Sequence, residues 1–189
     1  MNIVIVADIF GKTKHLEGLA NALSGQVQIL DPYQGRDMGF KNEAQAYEYF
    51  NQQVGNNKYT DELKVALSLT KGLVYLIGFS VGATAVWNVS GLASGPYSIV
   101  GGTCFYGSKI RENTHINPTF PISLIWPESE GRFSIPELID TLSGKHNVMN
   151  EQTESLHGFM NGLSRNYNEK AAAYHWNSIK AHLMSIQKS

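Results

Sequence analysis

Apolar and polar positions alternate in blocks along this chain. Short apolar runs at Ile3–Val6, Val27–Leu30, Leu73–Ile77, Ile99–Phe105 and Ile122–Trp126 predict strands. The third is apolar throughout, as a strand buried on both faces of a parallel sheet must be. Helical patterns fill the intervals. His15–Leu23 places Leu16, Leu19, Ala20 and Leu23 on one face, Glu43–Val54 and Asp61–Leu69 follow the second strand, and Ile135–Leu142 follows the fifth. In Glu169–Gln187, Ala172, Trp176, Ile179, Leu183 and Ile186 step by four and three along a single stripe, which should dock on the sheet. His175 and His182 fall off that stripe and are expected in solvent. Asn147–Gln152 is too polar for a central strand and predicts an exposed edge strand. Strand–helix alternation with right-handed crossovers gives an α/β fold, a doubly wound, mostly parallel sheet with helices on both faces. Ligands of such sheets bind at the carboxyl ends of strands, where Asp8 and Ser80 fall.

Composition narrows the picture. The 189 residues, 42% hydrophobic and 16% charged, suit one domain spanning 1–189 with a substantial core. A formal net charge of -1 points to neither a nucleic-acid partner nor an anionic membrane surface. Cys104 is the only cysteine, so no intrachain disulfide can form. Met1–Val6 lacks the basic segment of a signal peptide, and no apolar stretch is long enough to span a bilayer. A cytoplasmic location is the expectation. No histidine, cysteine and carboxylate cluster has metal-ligand spacing, and neither a metal nor a cofactor is expected. Gly11-Lys12-Thr13 ends like a phosphate-binding loop, but the leading glycine of that motif would fall at Val6.

The chemistry-bearing segment is Leu73–Trp87. An apolar run leads into Gly78-Phe79-Ser80-Val81-Gly82, and a small-residue helical stretch follows. Strand, G-x-S-x-G, helix describes a nucleophile elbow, a tight turn that lifts the serine hydroxyl clear of the backbone. Ser80 is then a candidate nucleophile. Serine needs an imidazole to take its proton and a carboxylate to orient the imidazole. In the chain order nucleophile, acid, histidine, His157 is the histidine that lies in a loop after the last strand and before the last helix. The acid should follow the fifth strand, where Glu130 is preferred and Glu128 is the alternative. Backbone N–H groups for an oxyanion should come from Val81 and from the first loop, Ala7–Gly11.

Asp8-Ile9-Phe10-Gly11, Gly78-Phe79-Ser80-Val81-Gly82, Phe105-Tyr106-Gly107 and His157-Gly158-Phe159, in this order, resemble the dienelactone hydrolase family, a branch of the α/β-hydrolase fold. The resemblance runs from about Ile3 to the last helix. It implies Ser80 as nucleophile, His157 as base, Glu130 as acid, and an oxyanion hole from the N–H groups of Ile9 and Val81. It also implies that Asp8 contacts the nucleophile, and it assigns Phe79, Tyr106, Asn161 and Arg36 to the substrate. There are departures. Ser80 stands where dienelactone hydrolases proper carry cysteine, Asn161 stands where they carry a substrate-gripping arginine, and Arg36 lies one position out of register with a second family arginine. The first predicted strand is the first parallel one, and the family's amino-terminal antiparallel strands are expected to be absent. The expected activity is hydrolysis of a small ester or lactone through an acyl-enzyme, with a homodimer possible. The alternative is a non-catalytic α/β-hydrolase scaffold used for binding.

Overall fold

The computed structural model describes residues 1–92 and 97–188. Six strands form one sheet: β1 (Asn2–Val6), β2 (Gln26–Leu30), β3 (Gly72–Phe79), β4 (Tyr97–Phe105), β5 (Ile122–Trp126) and β6 (Val148–Gln152). Their order is β2-β1-β3-β4-β5-β6, every pairing is parallel, and no antiparallel strand joins the sheet among the described residues. The helices are α1 (Lys14–Asn21), α2 (Glu43–Gln53), α3 (Gly55–Ser68), α4 (Val81–Ser90), α5 (Ile135–Ser143) and α6 (Glu169–Lys188). None is long and apolar enough to cross a membrane, among the described residues.

Side-chain alternation along the strands divides the core into two layers. Ile3 and Ile5 of β1, with Tyr75, Ile77 and Phe79 of β3, face Leu16 and Ala20 of α1 and Trp176, Ile179 and Leu183 of α6. Val4 and Val6, with Val74 and Leu76, face the opposite way, onto Phe50, Leu63, Leu67, Trp87 and Leu138 of α2 to α5. Cys104 lies on this second side, 1% exposed, its Sγ 3.5 Å from the Ala83 carbonyl of α4. Burial pushes its thiol far above the ordinary range.

Two expectations change. The helix expected to begin at Asp61 begins at Gly55, with Val54 alone separating it from α2. Its first turn, Asn56-Asn57-Lys58, carries no helical hydrophobic signal. Tyr59, Leu63 and Leu67, four apart, bury the face that holds it, and the Tyr59 hydroxyl donates to the Leu30 carbonyl at 2.9 Å. His175 is not in solvent. It is 6% exposed and packs edge-on to Phe105, with ring centroids 5.8 Å apart. Position 175 follows Ala172 by three and precedes Ile179 by four, so it shares the docked face. Burial lowers the pKa of its imidazole.

The strand order reverses between β1 and β3, because the chain leaves β1 for one edge and returns on the other side. A crevice forms above the carboxyl ends of these two strands. The loop after β1 and the turn after β3 are its walls.

Candidate active site

Ser80 joins β3 to α4 at φ 50° and ψ −110°, a conformation that costs a non-glycine residue about 1–3 kcal/mol. Its N–H donates to the Phe105 carbonyl at 2.9 Å, and its carbonyl accepts from the Thr84 N–H at 3.0 Å. The flanking glycines permit the turn. A Cβ on Gly78 would lie 2.6 Å from the Cα of Ala83, and one on Gly82 would lie 2.2 Å from the Val6 carbonyl oxygen. Backbone packs on backbone there.

From this turn the Ser80 hydroxyl reaches His157 Nε2 at 3.1 Å, and His157 Nδ1 lies 2.6 Å from Glu130 Oε1. An ionised carboxylate only accepts, so Nδ1 carries the proton and Nε2 is left to accept from Ser80. Burial alone would raise the Glu130 carboxyl, but hydrogen bonds from His157 and Ser108, with the charges of His157 and Arg111, hold it below its ordinary value. Glu128 is exposed, and its N–H is bonded to the Ser155 carbonyl. Of the two carboxylates left open by sequence, Glu130 is the one beside His157.

His157 sits on a loop fixed from several directions. Asn166 Nδ2 donates to its carbonyl at 2.8 Å, and its ring leans on Tyr106 at 4.9 Å. Gly158 turns the chain at φ 89°, where a Cβ would lie 2.5 Å from Ser164 Oγ. That hydroxyl donates to Glu43 of α2 at 2.8 Å, tying the loop to the opposite wall.

Ile9 and Val81 line the cleft together with Ser80. Val81 opens α4, and first-turn amides lack an intrahelical acceptor. In the loop after β1 the Asp8 carbonyl accepts from the Gly11 N–H at 3.0 Å, so the trans Asp8–Ile9 peptide aims its own N–H the other way. The Ile9–Phe10 peptide is held at both ends: Tyr33 Oη donates to the Ile9 carbonyl at 2.7 Å, and the Phe10 N–H donates to Asp8 Oδ1 at 2.9 Å.

The residues expected at the substrate lie elsewhere. Asp8 is 7% exposed and spends its carboxylate on the Phe10 N–H and on Asn161 Nδ2, the latter at 2.6 Å, rather than on Ser80. Strand alternation turns Phe79 towards α6, where it stacks on Phe105 at 5.2 Å. Asp8, Phe79, Tyr106 and Asn161 border a small space beside α1, apart from the cleft over Ser80. Arg36 is exposed outside that cleft, because the Asp31 carboxylate takes the Tyr33 and Gly35 N–H groups and curls the segment away.

The Asp8–Asn161 contact yields a stability prediction. Burial raises the Asp8 carboxyl above its ordinary value, against the opposing hydrogen bonds of Asn161 and Phe10. Without Asn161 it should rise further. For an acid raised in the folded state, stability falls as pH rises from the unfolded-state value to the folded-state one and is level above it. Asn161→Ala should therefore cost about 1.5–3 kcal/mol at pH 7. The cost should shrink where Asp8 is protonated in both proteins. Urea unfolding of both at pH 7 and at mildly acid pH measures the difference.

The cleft over Ser80 has a volume of ≈ 470 Å³, within the range of small-molecule sites. Ile9, Ala44, Tyr47 and Val81 line its side towards β1 and α2, while Lys109, Arg111, Arg132 and Arg165 come from the loops after β4, β5 and β6. Lys109 and Arg111 share Glu112, but Arg132 and Arg165 have no carboxylate partner among the described residues. Sequence reasoning did not reach these cations or Ser108, because they join the site from loops without periodic pattern. No group of three or more histidine, cysteine and carboxylate side chains could hold a metal ion, among the described residues.

Comparison with known proteins agrees with the fold. The dienelactone hydrolase family model matches residues 1–186. An uncharacterised protein of Bacillus subtilis, YczH, is 29% identical over 180 residues, 88% of this chain and 84% of that protein. A dienelactone hydrolase-like promiscuous phosphotriesterase from metagenomic libraries superimposes with a TM-score of 0.66 at 15% identity, over 97% of this chain and 85% of that one. A structure from work on two metagenome-derived lipolytic enzymes, LipS and LipT, does so with a TM-score of 0.58 at 12% identity, over 100% and 94%. The chain has the α/β-hydrolase fold and is a hydrolase that belongs to the dienelactone hydrolase family.

Proposed function

We propose that the protein hydrolyses a small carboxylic ester or lactone through an acyl-enzyme on Ser80. The observation that carries this reading is the unbroken hydrogen-bonded chain Ser80–His157–Glu130, mounted on a strained elbow and open to the cleft. His157 Nε2 takes the Ser80 proton as Oγ attacks the substrate carbonyl carbon. The carbonyl oxygen becomes an oxyanion held by the Ile9 and Val81 N–H groups. Glu130 stabilises the imidazolium, which returns its proton to the leaving alkoxide. Water, deprotonated by His157, then attacks the acyl carbon, and Ser80 leaves with the proton.

A binding scaffold without catalysis would be favoured by a Glu130 turned away from His157. The 2.6 Å contact supports the catalytic reading instead. On the substrate side, the apolar wall suits a short hydrocarbon portion, and Arg132 and Arg165 could meet a carboxylate.

Labelling with a fluorophosphonate, with the site read by peptide mass spectrometry, tests the reading. Ser80 is expected to be modified, and short-chain aryl esters to be turned over, with and without a distal carboxylate. An aryl phosphotriester belongs in the same panel, given the activity named for one structural neighbour. An unlabelled Ser80 together with no turnover of any ester would overturn it.

A further inference from the structure

The loop after β4 holds a hydroxyl in the midst of this relay. Ser108 Oγ donates to Glu130 Oε1 at 2.6 Å and lies 3.2 Å from His157 Nδ1. Both hydrogen bonds to Glu130, from Ser108 and from His157, converge on the same carboxylate oxygen. Glutamate has one more rotatable methylene than aspartate, so its carboxylate needs a further anchor to keep one orientation.

The backbone of Ser108 is tied to the same acid loop. Its carbonyl accepts a hydrogen bond from Arg111 Nη1. The Arg111 guanidinium lies over the Phe133 ring, 4.7 Å from its centroid, and Phe133 is bridged through its backbone to Glu130. Ser108, Arg111, Phe133 and Glu130 thus close a ring of contacts. Glu130 is gripped at its carboxylate by the Ser108 hydroxyl and at its backbone through Arg111 and Phe133.

We infer that Ser108 is a positioning residue that holds Glu130 in the orientation in which it supports His157. The inference rests on the hydrolytic reading of Ser80. Ser108 touches no reacting atom in that scheme; its proton and that of His157 Nδ1 both go to Glu130 Oε1, so its support reaches His157 through Glu130. Its hydroxyl also keeps negative charge on the carboxylate, since a donated hydrogen bond favours the ionised form. During acyl transfer, when His157 is protonated, Glu130 then remains the acceptor of both bonds.

The test is a double-mutant cycle on the fluorophosphonate labelling rate, supplemented by steady-state kinetics on an aryl ester. Rates are normalised to the number of reactive serines. Ser108→Ala is expected to slow labelling and kcat by roughly 10- to 100-fold, the usual range for losing a hydrogen bond to a charged group. KM should be unchanged. Ser108→Thr, which keeps the hydroxyl, should restore most of the rate. In a Glu130→Gln background the effect of Ser108→Ala should fall to about twofold or less, because residues that act through one another are not additive. A Ser108→Ala rate equal to the parent, or an equal loss in both backgrounds, overturns the inference. A parent protein in which Ser80 does not react removes the hydrolytic reading itself, and the inference with it.

Discussion

Ser80→Ala is expected to lower turnover of any accepted ester by about 10⁴- to 10⁶-fold, the scale on which removal of a serine nucleophile acts in unrelated hydrolases. What remains would come from the two N–H donors and from substrate binding, which the substitution leaves in place. Stability should hardly change. The Ser80 hydroxyl is half-buried and, among the described residues, bonds to His157 alone, while the elbow is closed by backbone hydrogen bonds to Phe105 and Thr84. Ser80→Gly should be equally inactive but more stable than Ser80→Ala, by about 1 kcal/mol, because φ 50° suits glycine. Kinetics on the normalised proteins and urea midpoints separate the two effects. A Ser80→Ala variant that kept its turnover would move the chemistry away from the elbow.

The second large effect concerns one methyl group. Gly82→Ala is expected to cost about 4 kcal/mol or more, a large share of the stability of an ordinary domain. The new Cβ would lie 2.2 Å from the Val6 carbonyl oxygen and 2.6 Å from that of Ala7. Neither atom can retreat easily, because β1 is hydrogen-bonded to β2 on one side and to β3 on the other. Gly18→Ala, an added methyl on α1 with nothing within 4 Å, provides the contrast. It should stabilise by about 0.5–1 kcal/mol through helix propensity. Urea unfolding of both variants tests the pair. Comparable stabilities would show that β1 yields where the packing says it cannot.

The fold was legible where a pattern is local. β1, β3 and β5 are apolar runs, and α6 announces itself through Ala172, Trp176, Ile179 and Leu183. β6, Val148–Gln152, could be placed at an edge because its polar letters exclude burial on two sides. The first turn of α3 was not legible, since only burial of Tyr59, Leu63 and Leu67 sustains it. His175 was misplaced because the stripe was counted in apolar letters, although 172, 175 and 179 share helical spacing.

The site divides in the same way. The Ser80 turn, the His157 loop and the acid loop after β5 each follow a strand, so order along the chain pointed to them. Contacts between loops leave no trace in spacing. Asp8 and Asn161 are 153 positions apart, and neither segment indicates that a carboxylate will meet an amide there. Ser108 is 22 positions from Glu130 and would pass as an ordinary loop serine. Only the three-dimensional meeting of these loops sets which side chains gather at Ser80 and which brace the loops around it.

The burial of Cys104 has a practical side. The chain carries one thiol, and it is shut beneath α4 with its proton firmly attached, while the hydroxyl at position 80 faces the cleft. Thiolate is the form that oxidants and alkylating agents attack. Reagents of the two kinds therefore sort cleanly on this molecule. Iodoacetamide or mild peroxide should leave the Cys104 thiol of the folded protein unmodified under conditions in which a serine-directed phosphonate modifies Ser80. A relative with cysteine in the elbow would expose its working atom to both.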